Sequence, residues 1–182
     1  MRIRPYKRKR TGKTDYKKRI ILIKSGLPRL VVRTSNNNIS VQVIEYAPEG
    51  DKVLLTSNSN NLKTYKLHKG NMPVAYLTGL MAGVKAKKLK IKKCILDTGL
   101  HKPRAKSKVY AALKGFSEMV EIPHAESVLP EEKRINGEDI QTYTLSLSGE
   151  DYNKKFSTYA RAGINADKII DHIKKVKMEI KQ

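Results

Sequence analysis

The chain has 182 residues, 39% of them apolar, which leaves room for one compact body with a real core and too little for a second. Its 38 Lys and Arg against 17 Asp and Glu leave a formal charge of +21. A compact state carrying that much like charge repels itself unless a polyanion neutralises it, and nucleic acid does so best, because each cation placed on a phosphate releases a condensed counterion. A single cysteine, Cys94, excludes an intramolecular disulfide and fits a reducing compartment. The short apolar run Ile20–Ile23 is too brief for a signal peptide or a membrane span. A soluble, cytoplasmic protein with no membrane partner is expected.

The charge is unevenly placed. Residues 1–33 hold 13 basic groups and one acid, Asp15, for a net +12; residues 34–150 carry a net +5 and residues 151–182 a net +4. A basic arm on a nearly balanced body follows, divided as 1–26 (arm and short helix), 27–143 (α/β core) and 144–182 (helical extension).

Taken in chain order, residues 1–12 (MRIRPYKRKRTG) offer almost nothing to a core and should stay extended or disordered until a partner neutralises them. Thr14 reads as the N-cap of a helix over about 15–25, with Asp15 in its first turn and Gly26 just past its end. That helix would rest Ile20, Ile21 and Ile23 on the body and present Lys17, Lys18, Arg19 and Lys24 outward.

Three strands follow at 29–34, 39–47 and 52–56. The clearest alternation sets Ile39, Val41 and Val43 against Ser40, Gln42 and Ile44. Asn36-Asn37-Asn38 and Pro48–Asp51 are the turns between them, so the strands form an antiparallel meander.

At Asn71 the period changes. Asn71 reads as an N-cap with Pro73 in the first turn, and Val74, Leu77, Leu80, Met81 and Val84 recur at helical spacing to about Lys88. Gly79 and Gly83 each cost that helix about 1 kcal/mol against Ala, which implies close packing, here expected onto the sheet. Residues 94–97 form a short buried strand. Ser107 opens a helix with Val109, Leu113 and Phe116 inward, and residues 121–124 form a last strand.

The fold class is therefore α/β: a mixed sheet in which a three-strand meander is followed by strand-helix-strand crossovers, the order of a ribonuclease-H-like topology. Residues 131–143 and 151–162 read as helical. Asn165–Ile180 is a stronger amphipathic helix, with Ile169, Ile173, Val176 and Ile180 on one stripe.

The catalytic motifs fail on inspection. Gly12-Lys13-Thr14 imitates the end of a phosphate-binding loop, but Lys7 stands where its first Gly belongs and no strand precedes it. His68, His101, His124 and His172 are far apart and none is at metal-ligand spacing with Cys94, which reads as an inert core thiol. A nuclease of this topology needs a carboxylate on the first strand to hold two metal ions. Arg29-Leu30-Val31-Val32-Arg33 has none; Asp97, Glu45 and Glu126 remain without it. No enzyme, cofactor, metal or small-molecule substrate is expected.

The phosphate-binding features form a more consistent set. Arg2, Arg4, Lys7, Arg8, Lys9, Arg10 and Lys13 make an arm with one aromatic, Tyr6, able to stack on a base. Arg29 and Arg33 point to one side of their strand. Residues 85–93 contain six lysines, and His101-Lys102-Pro103-Arg104 continues with Lys106 and Lys108 as a basic loop.

These residues also carry a resemblance. KRTGKTDYKKR (Lys9–Arg19), PRLVVRTSN (Pro28–Asn36), AYLTGLMAG (Ala75–Gly83), ILDTGL (Ile95–Leu100), VYAALKG (Val109–Gly115) and EIPH followed by LPEEKRINGEDI occur in an order that resembles the large-subunit ribosomal protein L-eighteen family, the 5S rRNA binders, in its archaeal and eukaryotic form. The likeness covers residues 4–143, and FSTY (Phe156–Tyr159) extends it into the tail.

The resemblance implies a place in the central protuberance, joining 5S rRNA to large-subunit rRNA beside neighbouring ribosomal proteins. Carried over by position, it implies that Lys9, Arg10, Lys13, Tyr16, Lys17 and Arg19 touch 5S rRNA, together with Arg29, Arg33 and the turn at Asn36. With Arg4, Lys7 and Arg8 of the arm and Lys102 and Arg104 of the basic loop, these are the expected RNA-binding residues. Asp139 departs from the family's GEHI and weakens any phosphate contact there. A free RNA-binding or assembly protein outside the ribosome is the rival reading.

Overall fold

The computed structural model describes residues 4–67, 70–102, 104–147 and 149–182; the expectations for Arg2, His68 and Pro103 lie outside the described residues. The expected meander is present as β1 (Arg29–Thr34), β2 (Ile39–Glu45) and β3 (Lys52–Asn58). β4 (Ile95–Asp97) joins β1 in parallel, giving a four-stranded mixed sheet of order β3-β2-β1-β4. Leu30 pairs with Val43 and Val32 with Val41, so period-2 alternation puts Leu30, Val32, Ile39, Val41 and Val43 on one fully buried face. Ser35 closes the β1–β2 turn, its hydroxyl accepting from the Asn38 N–H at 3.0 Å.

α3 (Met72–Lys88) packs on that buried face. It starts where the sequence places it, with Asn71 Oδ1 accepting from the Val74 N–H at 3.0 Å. It is buried on more sides than one apolar stripe implies: every residue from Pro73 to Leu80 is inaccessible. The reason is position. The sheet lies on one side, α4 (Lys108–Ser117) alongside, and α5 (Glu132–Asn136) and α9 (Ile169–Lys181) on the remaining flank.

The helical glycines face α4, not the sheet as the sequence suggests. A Cβ on Gly79 would collide with the carbonyl oxygen of Ala112, and one on Gly115 of α4 with the carbonyl oxygen of Tyr76. Gly83 meets Phe116 and Met119 at 3.1 Å. The two helices therefore approach backbone to backbone along 79–83 and 112–119. The last expected strand shrinks to a single bridge between Lys93 and Glu121, and Cys94 beside it is fully buried, its thiol pushed up to about 11 by burial.

The chain after α5 is helical: α6 (Glu138–Leu145), α7 (Gly149–Lys155), α8 (Ser157–Ala162) and α9. The stripe Ile169, Ile173, Val176 and Ile180 is buried as expected. Polar contacts fix where this extension docks. Tyr159 Oη receives the Asn71 side-chain N–H at 2.8 Å, so the residue that caps α3 also holds the tail. At the far end Glu118 accepts from the Tyr76 hydroxyl and bridges Lys177 and Lys181 of α9 at 3.2 and 2.8 Å. Burial works to raise the Glu118 carboxyl, but hydrogen bonds from Lys181, Tyr76 and Lys177 outweigh it and hold it below its ordinary value.

Two substitutions separate these packing claims. Leu77→Ala, at a fully buried site, should lower stability by about 2–5 kcal/mol in urea unfolding, and a neutral result would take α3 out of the core. Gly79→Ala should also destabilise, although Ala favours a helix by about 1 kcal/mol; a gain in stability would contradict the contact with Ala112.

Candidate nucleic-acid interface

The basic arm is more ordered than its composition suggests. Residues 7–10 close one helical turn, α1 (Lys7–Arg10), in which the Lys9 and Arg10 N–H groups donate to the Tyr6 carbonyl. The Tyr6 ring tilts against Tyr16 with centroids 5.4 Å apart, and Arg8 Nε donates to Thr14 Oγ1 at 2.9 Å. These contacts fold the arm back onto the helix that follows, which replaces the expected extended chain. Every side chain from Arg4 to Lys13 nevertheless stays exposed.

That helix, α2 (Tyr16–Lys24), is capped by Asp15 rather than Thr14: Asp15 Oδ1 accepts from the N–H groups of Lys17 and Lys18 at 3.0 and 3.2 Å. Ile20 and Ile21, expected against the body, are 54% and 68% exposed, and only Leu22 and Ile23 are half-buried. α2 is tied down by charge instead. Arg19 reaches Asp51 at 2.9 Å, Asp51 holds Arg29 at 2.6 Å, Arg29 holds Asp97 at 2.9 Å, and Asp97 holds Arg33 at 3.2 Å. Three arginines and two aspartates thus alternate in one chain of bonds that links α2, β1, the β2–β3 turn and β4.

Asp97 is the best-used member. Its Oδ2 accepts from Arg29, while Oδ1 accepts from Arg33 and from the Gly99 N–H at 2.8 Å, closing the turn of the ILDTGL segment. A carboxylate so occupied has little left for a metal ion. Among the described residues no three His, Cys, Asp or Glu side chains gather as a metal site. Glu45 and Glu126 are exposed and take no part in these bonds.

Above this network lies a cleft of about 390 Å³ between the arm, α2 and the ends of β1 and β4. Its cations are Arg8, Lys13, Lys18, Arg19, Arg29 and Arg33, and its acids Asp15, Asp51 and Asp97. The excess is positive, and the three acids are engaged inside the protein, Asp15 by the helix start and the other two by arginines.

The expected RNA-binding residues fall into three groups. Arg8, Lys13, Arg19, Arg29 and Arg33 converge on the cleft. Arg4, Lys7, Lys9, Arg10 and Lys17 stand exposed on the arm and α2 beside it, with Tyr16 half-buried under Tyr6. Asn36, Lys102 and Arg104 are exposed on loops and do not line the cleft.

The sequence places Arg29 and Arg33 together, but burial separates them. Arg29 is only 5% exposed and clasped by two carboxylates, so its role is to hold the site's floor, whereas the Arg33 side chain is 43% exposed. Asp139, the departure from the family pattern, takes Arg134 at 3.1 Å. Sequence reasoning missed Asp51, whose partners lie 32 and 22 residues away, and left out Lys18. No local pattern marks Asp51, which reads only as the end of a turn.

Comparison with known proteins bears on the same residues. The model of a family described as ribosomal large subunit proteins 60S L5 and 50S L18 matches residues 2–93, from the arm to just before β4. The chain is also 40% identical over 181 residues to the large ribosomal subunit protein uL18 of Methanococcus maripaludis, covering 97% of this chain and 94% of that one.

The buried pair makes a firm prediction. Asp97→Ala leaves the Arg29 guanidinium buried with one carboxylate fewer and should cost about 3–5 kcal/mol. Chemical denaturation measures it, and a loss below about 1 kcal/mol, the range of an exposed pair, would show that the network is not structural.

Proposed function

The chain belongs to the family of large-subunit ribosomal proteins that includes 60S L5 and 50S L18, and from that premise we propose that it binds 5S rRNA with its amino-terminal arm and attaches it to large-subunit rRNA in the central protuberance. In this reading it is a structural constituent of the ribosome and not an enzyme. Residues 1–26 grip RNA, residues 27–143 form the body that positions them, and residues 144–182 brace that body.

One observation carries the proposal: the division of the cations into paired and unpaired. Arg19, Arg29 and Arg33 each have a carboxylate partner, whereas Arg4, Lys7, Arg8, Lys9, Arg10, Lys13 and Lys17 have no ion pair among the described residues. A row of unpaired cations repels itself, and folding does nothing to relieve it. Phosphates do, and the entropy of released counterions makes the exchange favourable. Tyr6, 74% exposed, is placed to stack on an unpaired base.

The paired arginines favour the same reading over a free basic tail. By anchoring α2 through Arg19 they fix the direction in which the arm leaves the body. A disordered tail binds phosphate wherever it meets it, but an arm with a fixed root binds a particular RNA shape. The rival, a free RNA-binding protein outside the ribosome, predicts no stoichiometric association with large subunits through moderate salt.

Lys9, Arg10 and Lys13 changed together to Ala should weaken 5S rRNA binding and flatten the dependence of log affinity on log salt by about 2–3. Filter binding across a salt series reads both. An unchanged slope would remove the arm from the interface, and a purified chain indifferent to 5S rRNA at low salt would remove the proposal.

A further inference from the structure

A second cationic surface lies at the carboxy end of α3, apart from the residues that line the cleft. α3 runs out through Lys85, Lys87 and Lys88, and Lys90, Lys92 and Lys93 follow before β4, six lysines in nine residues with no acid among them. Lys85 spends its ammonium on the Thr56 carbonyl at 3.1 Å, and Lys93 pairs with Glu121 at 3.0 Å. Lys87, Lys88, Lys90 and Lys92 are exposed and have no ion pair among the described residues. The nearby acid at the end of α4, Glu118, is already taken by Lys177 and Lys181.

The position of this patch follows from the sheet. β4 is parallel to β1, Ile95 pairs with Arg29, and the Ile95 N–H donates to the Pro28 carbonyl. The residues just before Ile95 therefore sit at the start of β1. The arm's cleft runs along β1 on Arg29, Val31 and Arg33, whereas α3 packs on the Leu30 and Val32 face, and none of the six lysines lines the cleft.

Helix electrostatics explains part of the lysine run, since cations near a helix C-terminus offset its partial negative charge. That reason reaches Lys85, Lys87 and Lys88 and stops there. Lys90 is the informative residue. It ends α3 in a left-handed conformation, φ +58°, while the Ile91 N–H bonds back to the Ala86 carbonyl. This is the position where glycine is favoured, because a side chain there crowds the backbone. A lysine is kept where it weakens the helix end, and its charge has no partner within the described residues.

We propose that Lys87, Lys88, Lys90 and Lys92 form a second phosphate-binding surface, which engages large-subunit rRNA while the arm holds 5S rRNA. The assignment rests on the 5S rRNA reading for its division of labour, but the surface itself is defined by these lysines alone. One small body then joins two RNAs by gripping them on two separate surfaces.

The test uses the full chain saturated with 5S rRNA and titrated with labelled large-subunit rRNA over a salt series. Lys87→Gln, Lys88→Gln and Lys92→Gln combined should leave 5S rRNA affinity within about twofold. The same variant should weaken large-subunit rRNA binding at least about tenfold and lower its salt slope by about 2–3. Lys90→Gly should raise the melting temperature yet weaken the same binding, a combination that a purely structural lysine does not produce. Unchanged large-subunit rRNA affinity in both variants, or an equal loss of 5S rRNA, overturns the assignment. A wild-type chain that ignores 5S rRNA but binds large-subunit rRNA through these lysines would instead strike the 5S rRNA reading and leave this surface standing.

Discussion

Asp51 and Asp97 each hold two guanidinium groups, and the rest of the basic surface is arranged around that clasp. Arg29 is too buried to remain charged without partners, so its two carboxylates are obligatory rather than optional. Once they are in place, Asp51 also catches Arg19 and fixes α2 across the sheet end, and Asp97 also catches Arg33 and sets the turn at Gly99. The same few bonds satisfy a buried charge, root the arm and shape the cleft. Such pairs add little net stability compared with apolar packing. What they contribute is a defined direction for the groups left over.

The body beneath is built for stiffness. α3 and α4 meet through Gly79, Gly83 and Gly115 with no room for a Cβ at the closest points, so neither helix can slide without collision. The carboxy-terminal extension closes the exposed flank of α3. It is located at both ends by polar groups, Asn71 with Tyr159 at one and Glu118 with Tyr76, Lys177 and Lys181 at the other. A rigid platform under unpaired cations suits recognition of a folded RNA. The cations keep the spacing of the platform, and less order has to be created on binding.

Charge in this molecule is sorted by burial. The arginines that face Asp51 and Asp97 act as internal ties, and the unpaired cations of the arm and of residues 87–92 face solvent. The three non-glycine residues with left-handed backbone among the described residues are all lysines, Lys66, Lys90 and Lys106. Local stability argues for glycine at such positions. Lys106 uses the position to reach Glu131 at 2.7 Å, whereas Lys90 has no ion pair among the described residues, a choice that suits a native state that includes a polyanion.

Sequence alone determined what is periodic or compositional. The meander, the α3 span with its Asn71 cap, the α9 stripe and the excess of positive charge each depend on spacings within a few residues, and each is legible for that reason. Tertiary structure decided what depends on distant partners. The glycines of α3 met a helix instead of the sheet, because a local pattern reports that close contact is needed but not with which element. Ile20 and Ile21 stayed in solvent because Arg19, four bonds of the network away from Arg33, set the helix's pose. Arg29 became a buried tie because Asp51 and Asp97, 22 and 68 residues further on, arrive beside it only after the sheet has formed. Composition fixes how many charges a chain must satisfy; only the fold determines which of them are satisfied from within and which are left facing solvent.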